Sequence, residues 1–307
     1  MSQSGLPPVS SQGFEYGVKH FLAHEESFAQ NLIEKVLNLN AESVEDLFQL
    51  GAVYINNQRW IEKDFRCMWG DHIRVHTKPR RYDVSWLWAE RIVFQNNDFV
   101  VLNKPSGLPS HPSVDNQIEN SLTQTEKALG QKLYISHRLD TLTEGLIIYG
   151  KSPVFVKEFN LQLQDQQMQK RYVALCETEK KLPAKVIHYM IKSPRAPKTL
   201  SAQHVPQSDY CELHILDQKI LGSYSWVKID LITGRTHQIR AQLADLGAPV
   251  YGDSMYGALS KRLVATPAHK KNEGIALRSQ FIEFKFADQI YQFDLPEKFN
   301  DDELIER

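Results

Sequence analysis

The stretch His137-Arg138-Leu139-Asp140-Thr141-Leu142-Thr143-Glu144-Gly145-Leu146 decides how the rest of the chain is read. Leu133, Tyr134 and Ile135 precede it, and Leu146, Ile147, Ile148 and Tyr149 close it. A polar segment between two short apolar runs predicts a loop joining two strands. Loops fixed by rigid strands are where chemistry concentrates. An Asp two residues from an Arg, opened by a His and followed by a Gly, is only suggestive alone. About a hundred residues on stands a second polar cluster, Thr233-Gly234-Arg235-Thr236-His237-Gln238-Ile239-Arg240.

Outward from the loop, strand signals dominate. Ile92-Val93-Phe94 and Phe99-Val100-Val101-Leu102 flank a polar turn, Gln95 to Asp98, and predict a hairpin. Tyr172 to Cys176 and Trp226 to Leu231 read as strands. Ile282, Phe284 and Phe286, then Tyr291, Phe293 and Leu295, alternate with polar residues and predict a C-terminal hairpin. Two helices interrupt them. One covers 155–167, with Phe155, Phe159 and Leu163 on one face; the other covers 236–246, stopped by Gly247 and Pro249. Strands joined mostly by turns predict an α+β fold with a mixed, largely antiparallel sheet.

The N-terminal part has a different texture. Leu32, Ile33, Val36 and Leu37 recur at helical spacing, and Ser43 could cap a second helix that ends at Gly51. GAVYINNQ (51–58) and GDHIRV (70–75) then read as strands entered through turns. This order resembles the S-four-like RNA-binding domain, an expectation for a small α/β unit. The expected division is a flexible tail over 1–28, the S-four-like domain over 29–77, and a linker over 78–90. A catalytic domain follows over 91–300, then a tail over 301–307. Lys78-Pro79-Arg80-Arg81-Tyr82 is basic: either a solvated linker or a phosphate contact.

Bulk properties bound the function. The chain has 307 residues, 42% hydrophobic and 24% charged, with a formal net charge of −1. That balance does not advertise nucleic acid, so an RNA partner has to rest on local motifs. No apolar run approaches the roughly 18 residues of a membrane span, and residues 1–13 lack the basic and apolar regions of a signal peptide. The three cysteines, Cys67, Cys176 and Cys211, are scattered. They predict reduced thiols, a cytoplasmic location and no metal site.

Three clusters recur in fixed order. They are Asn103 to Pro112 (NKPSGLPSHP), the 137–146 loop followed by Lys170-Arg171-Tyr172-Val173-Ala174, and GRTHQIR (234–240) leading to Gly252-Asp253-Ser254-Met255-Tyr256-Gly257. HRLD, GRTHQIR and GDxxYG in this order resemble the RluA-type pseudouridine synthases over roughly residues 90–296. The resemblance implies an isomerase that detaches uracil from its sugar, turns it and rejoins it through carbon 5. It implies no cofactor and no obligate protein partner. RNA is the implied substrate, ribosomal RNA first and transfer RNA second. Asp140 matches the nucleophile, Arg240 its partner cation, and Tyr172 the aromatic that stacks on the base. Arg138 matches the residue that takes the place of a flipped base, with Lys104, His137, Arg235 and His237 as weaker RNA or pocket contacts. The chemistry suits these side chains. A carboxylate can form a covalent intermediate, and in a dry pocket it needs a cation to stay ionised. A guanidinium supplies that charge permanently.

The chain also departs from the family pattern. Glu144 replaces a small residue, Gln242 a common His, Leu277-Arg278-Ser279 the usual Leu-His-Ala, and Ser113 a frequent Gly. A carboxylate four residues from Asp140 could raise its pKa or repel a phosphate. Residues 258–274, with Lys261, Arg262, Lys270 and Lys271, read as an RNA-facing loop or a solvated charge run. Two other functions compete: an idle RNA-binding assembly factor on the same scaffold, and an N-glycosidase using Asp140 and Glu144 as paired carboxylates. A nucleotide site lacks its Gly-x-x-x-x-Gly-Lys spacing. A zinc deaminase lacks its ligand set.

Overall fold

The computed structural model describes residues 6, 9–11, 17–268 and 271–297. The expected tail over 301–307 and Lys270 lie outside them. The chain divides into two compact units, residues 1–84 with 111–124, and residues 85–110 with 125–307.

The first unit holds strands β1 (Ser10–Ser11), β2 (Val18–Leu22) and β3 (Ser27–Phe28), helices α1 (Ala29–Leu37) and α2 (Ala41–Gln49), then β4 (Val53–Ile55), β5 (Gln58–Trp60), β6 (Arg66–Cys67) and β7 (His72–His76). Its main sheet runs β1-β2-β7-β4-β5. The alternation of β2 and β7 turns Phe21, Ile73 and Val75 into a core completed by Leu32, Ile33, Val44 and Phe48 of the helices. Asn40, not Ser43, caps α2: its side chain accepts from the backbone N–H of Ser43 at 2.8 Å.

Two boundaries differ from the sequence expectation. The tail predicted over 1–28 contains β2, a full partner of β7. The segment 111–124 belongs to this unit although the catalytic motifs surround it in sequence. Its buried Asp115 takes the Arg80 side chain at 2.8 and 3.0 Å, and Glu119 takes Arg81 at 2.9 Å. Burial raises the Asp115 pKa, but the bonds from Arg80 and Ser113 outweigh it and hold the carboxyl far below its ordinary range. The basic stretch 78–82 is therefore neutralised by carboxylates about 35 residues later, which local composition cannot show.

The second unit is one large sheet. Its elements are β8 (Ile92–Gln95), β9 (Phe99–Lys104), α3 (Ser121–Leu129), β10 (Tyr134–Ile135), β11 (Glu144–Gly150), α4 (Pro153–Gln164), β12 (Gln169–Cys176) and β13 (Lys185–Met190). Then follow β14 (Leu200–Ser201), β15 (Asp209–Leu221), β16 (Tyr224–Leu231), α5 (Gln238–Asp245), a β17–β18 hairpin (Arg262–Ala265, Lys271–Gly274) and the C-terminal hairpin β19–β20 (Leu277–Phe286, Gln289–Asp294). Helix α3 straddles the division between the units. The eleven-stranded sheet runs β14-β13-β15-β16-β12-β19-β11-β9-β8, with β10 beside β11 and β20 beside β19. Only β11–β19 is a parallel pairing in it. The predicted α+β class with a mixed, largely antiparallel sheet is what forms.

Ser152 caps α4 by accepting from the Phe155 N–H at 3.2 Å, and Pro153 fits the first turn. Phe155 and Phe159 bury the helix against the sheet. Phe99 stacks on Phe155 at 4.8 Å and meets Phe284 edge-on at 5.2 Å. Truncating such a ring costs about 3–5 kcal/mol, so this aromatic layer anchors the strands that carry the candidate site.

Candidate active site

All chemistry-bearing residues of the site lie in the second unit. Asp140 sits in a tight turn that leads into β11, with the Thr143 N–H donating to its carbonyl at 3.1 Å. The strand end is forced by Gly145, whose φ is +108° and whose hypothetical Cβ would lie 2.3 Å from the Ser279 carbonyl oxygen. Only glycine fits that approach.

The Asn103–Pro112 cluster braces this turn from below. Ser110 Oγ donates to the Leu139 carbonyl at 2.8 Å and accepts from the Leu139 N–H at 3.0 Å. Ser106 Oγ donates to the Leu142 carbonyl at 2.6 Å. Lys104 is fully buried, and its ammonium donates to the carbonyls of Pro105, Leu108 and Thr141 at 3.0, 2.6 and 3.2 Å. Burial brings its pKa down to about 7. Lys104 is thus a strut of the Asp140 loop, which corrects the expectation of an RNA contact. His137 is corrected likewise. Its Nε2 accepts from the Ile148 N–H at 3.0 Å and its ring stacks on Phe159. Burial lowers its pKa to about 3, so it is neutral and offers no phosphate contact.

Helix α5 brings Arg240 to Asp140. The helix starts at Gln238 and not at Thr236 as predicted, because His237 takes a left-handed conformation, φ 59°. Arg240 is 3% exposed and held by Asp253, with Nε to Oδ2 at 2.6 Å and Nη2 to Oδ1 at 2.9 Å. Its remaining Nη1 points at Asp140 Oδ2, 3.5 Å away. Burial works against the guanidinium charge, but Asp253 and Asp140 outweigh it and raise the Arg240 pKa. His237 Nε2 stands 3.9 Å from the same Asp140 oxygen, and its Nδ1 meets the Tyr256 hydroxyl at 3.1 Å. The Tyr256 ring lies 5.0 Å from the Arg240 guanidinium carbon. Asp253 and Tyr256 were missed as site residues. Their signal was the GDxxYG motif, which carried the family resemblance while neither residue was given a role.

Tyr172, on β12, is 7% exposed. Burial pushes its phenol up to about 12, against a hydrogen bond with Ser279 that lowers it, so it stays neutral near pH 7. Arg138 and Arg235 are exposed, the latter 4.0 Å from Asp209.

The departures from the family pattern fall into compensating networks. Glu144 and Arg278 face each other across the β11–β19 pairing. Arg278 donates to Glu144 Oε1 at 2.7 and 2.9 Å, and Arg262 approaches Oε2 at 3.6 Å. Glu144 is thereby committed to two cations, which removes the repulsion feared for Asp140 and any role as a second glycosidase carboxylate. Arg262 is 5% exposed and belongs to the β17–β18 hairpin, so residue 262 is not part of an RNA-facing loop. Gln242 donates to the Val186 carbonyl at 3.3 Å and meets His188 at 3.2 Å, filling a buried polar niche. Ser113 helps bind Asp115 at 2.7 Å.

A family model described as RNA pseudouridylate synthase matches residues 98–245. That matched stretch holds both Asp140 and Arg240. Its likeness to RNA pseudouridine synthase 6, chloroplastic, of rice is 28% identity over 86% of this chain and 69% of that protein. The chain spans 45% of the Arabidopsis thaliana protein of the same name. It is 26% identical to the ribosomal large subunit pseudouridine synthase C of Buchnera aphidicola, over 79% of this chain and 82% of that protein. Among solved structures, human RNA pseudouridylate synthase domain containing 4 superposes with a TM-score of 0.53 at 20% identity, covering 68% of this chain and 89% of that one. That likeness shows the fold, which is of pseudouridine-synthase type. The reaction class is that of an isomerase, an RNA pseudouridine synthase.

Proposed function

We propose that Asp140 is the nucleophile of uridine isomerisation and that ribosomal RNA is the substrate. The observation that carries the nucleophile is the geometry of Arg240. Asp253 fixes two of its donors, and the third faces Asp140 Oδ2 at 3.5 Å. A permanent, immobilised charge aimed at one carboxylate keeps that carboxylate ionised and restricts its orientation.

The roles then divide. The Asp140 carboxylate forms the covalent intermediate, and the bond between the sugar and uracil N1 breaks. The freed ring turns and rejoins through carbon 5, which gives up its proton. Tyr172 flanks the pocket as a neutral phenol, placed to stack on the base and to relay that proton. Exposed Arg138, two residues from Asp140, takes the place vacated by a flipped uridine. Arg235 contacts phosphate, and His237 orders Tyr256 and Asp140.

The name of the Buchnera relative supports ribosomal over transfer RNA. The first unit's order of two helices and a small sheet supports an S-four-like RNA anchor. The three free, buried cysteines fit a reducing compartment such as the cytoplasm, which cell fractionation would test. The test of the reaction is turnover of carbon-5-tritiated RNA, split into ribosomal and transfer pools. Release from the ribosomal pool alone supports the assignment. Release from the transfer pool alone overturns the substrate. A fall in RNA mass would mean base loss and sink the isomerase.

A further inference from the structure

The first unit's sheet turns one face to the apolar core, and its other face carries polar side chains that are half-buried or buried. Residues paired across this polar face form a row. His20 on β2 faces Arg74 on β7, Arg74 faces Tyr54 on β4, and Tyr54 faces Arg59 on β5. His72 and His76 flank Arg74 on the same strand and the same face. The Arg74 guanidinium carbon lies 4.0 Å from the Tyr54 ring centre, and that of Arg59 5.1 Å.

This row holds positive charge without an anion. Arg59 donates to the Tyr54 hydroxyl, to the Ser113 carbonyl at 2.7 Å and to Gln117 Oε1 at 3.2 Å, all neutral groups. Arg74 is half-buried, and its Nε has no hydrogen-bond partner among the described residues. His76 is 5% exposed, and both its ring nitrogens are unpartnered. His20 Nδ1 and His72 Nε2 stand 3.2 Å apart in stacked rings, a pair that shares one N–H. Asp115 is a neighbouring carboxylate, and Arg80 already neutralises it. A buried donor left unmade is costly, and Arg74 Nε and the His76 ring nitrogens are such groups among the described residues, of the kind an anion would satisfy.

We propose that this polar sheet face binds a phosphodiester of the RNA backbone, taken by Arg74 with His20 and His72 and with His76 behind them. The inference rests on the chain acting on RNA. It does not depend on which uridine is modified. It also explains how a chain of net charge −1 grips a polyanion, by a local row of cations on one face.

A proton linkage follows. Burial first, then His72 and Arg74, hold the His20 pKa below its ordinary value. Burial, Arg74, Arg59 and His20 do the same for His76, against Asp115. Protonation of His20 and His76 is therefore disfavoured until an anion joins them. A phosphate replaces repulsion with attraction, so binding takes up protons and strengthens as pH falls.

The test is binding of a short fluorescein-labelled stem–loop RNA to the full chain, read by anisotropy over a KCl series at about pH 6 and about pH 8. Arg74→Gln should flatten the slope of log K against log salt by roughly 0.7–0.9, the loss of one phosphate contact. Arg74→Lys should keep the slope. The double variant His20→Gln/His76→Gln should lose the pH dependence, which guards against a folding defect in the Arg74 variant. An unchanged slope in Arg74→Gln, with wild-type affinity, overturns the proposal. Inorganic phosphate is the second probe. If it moves the His20 and His72 imidazole NMR signals while the RNA slope ignores Arg74→Gln, the face is a small-ion site and the RNA claim fails. Binding needs no turnover, so an enzyme that binds through Arg74 yet forms no pseudouridine would sink the catalytic assignment and leave this site standing.

Discussion

Glu144→Gln takes away a carboxylate shared by two guanidiniums. Glu144 and Arg278 are each 12% exposed, and Arg262 is 4% exposed. At an effective dielectric of about 20, contacts of 2.7 and 3.6 Å correspond to roughly 6 and 5 kcal/mol of gross attraction. Desolvation cancels much of that, but breaking such a pair from one side leaves charges buried and uncompensated, at a cost of about 3–5 kcal/mol. Urea unfolding should show that loss as a lower midpoint at constant m. Melting should fall by roughly 6–15 °C. Arg278→Met should cost less, because Arg262 remains with Glu144. The double variant Glu144→Gln/Arg278→Met should be more stable than the sum of the singles predicts, with a coupling of about 1–3 kcal/mol. At a temperature where Glu144→Gln stays folded, turnover should remain within a few-fold of wild type. Additive single effects would refute the pairing. Loss of turnover with an unchanged midpoint would refute the structural role and revive Glu144 as a chemical group.

Three other outcomes are expected. Asp253→Asn should lower kcat by about a hundredfold or more, since Arg240 loses its bidentate anchor and its aim at Asp140; single-turnover kinetics at saturating RNA check this, and a wild-type kcat would contradict it. Tyr172→Phe should keep the fold and lower kcat by roughly 10²–10⁴, the range of a lost proton relay, with burst and steady-state rates separating chemistry from release. Lys104 has a folded pKa of about 7, below its unfolded value of 10.5, so between the two the unfolded state binds more protons and stability rises with pH. Lys170, lowered to about 8 by burial, adds to the same trend. Comparing urea midpoints near pH 7 and pH 9.5, the gain in Lys104→Met should be smaller than in wild type. An equal gain would contradict the assignment.

Much of the fold was legible because its strands carry a clear period of two. The 92–102 and 282–295 hairpins, with Ile282 and Phe284 turned inward, follow from alternation alone. β13 and β15 were not legible. Lys185–Met190 and the thirteen-residue Asp209–Leu221 strand lie toward the edge of the sheet, where Ile187, Leu216 and Ile220 face outward and His188 is buried, so no apolar rhythm marks the inner face. The pairing of 111–124 with the first unit was equally hidden, because it rests on Arg80–Asp115 and Arg81–Glu119 contacts far apart in sequence. In the site, Asp140 and Arg240 were readable from motif order. Lys104 and His137 were misread because a charged or basic residue in a motif suggests a ligand, whereas burial gave each a backbone partner. Glu144 and Arg278 were noticed separately as departures; only the parallel β11–β19 register shows that they answer one another.

The central claim is that Asp140 does the chemistry. Its most direct measurement is carbon-5 tritium release from labelled total RNA of a strain lacking this gene, with wild type and Asp140→Asn side by side. Release by wild type and none by a folded, RNA-binding Asp140→Asn is the predicted result. Release by the variant near the wild-type rate would contradict it.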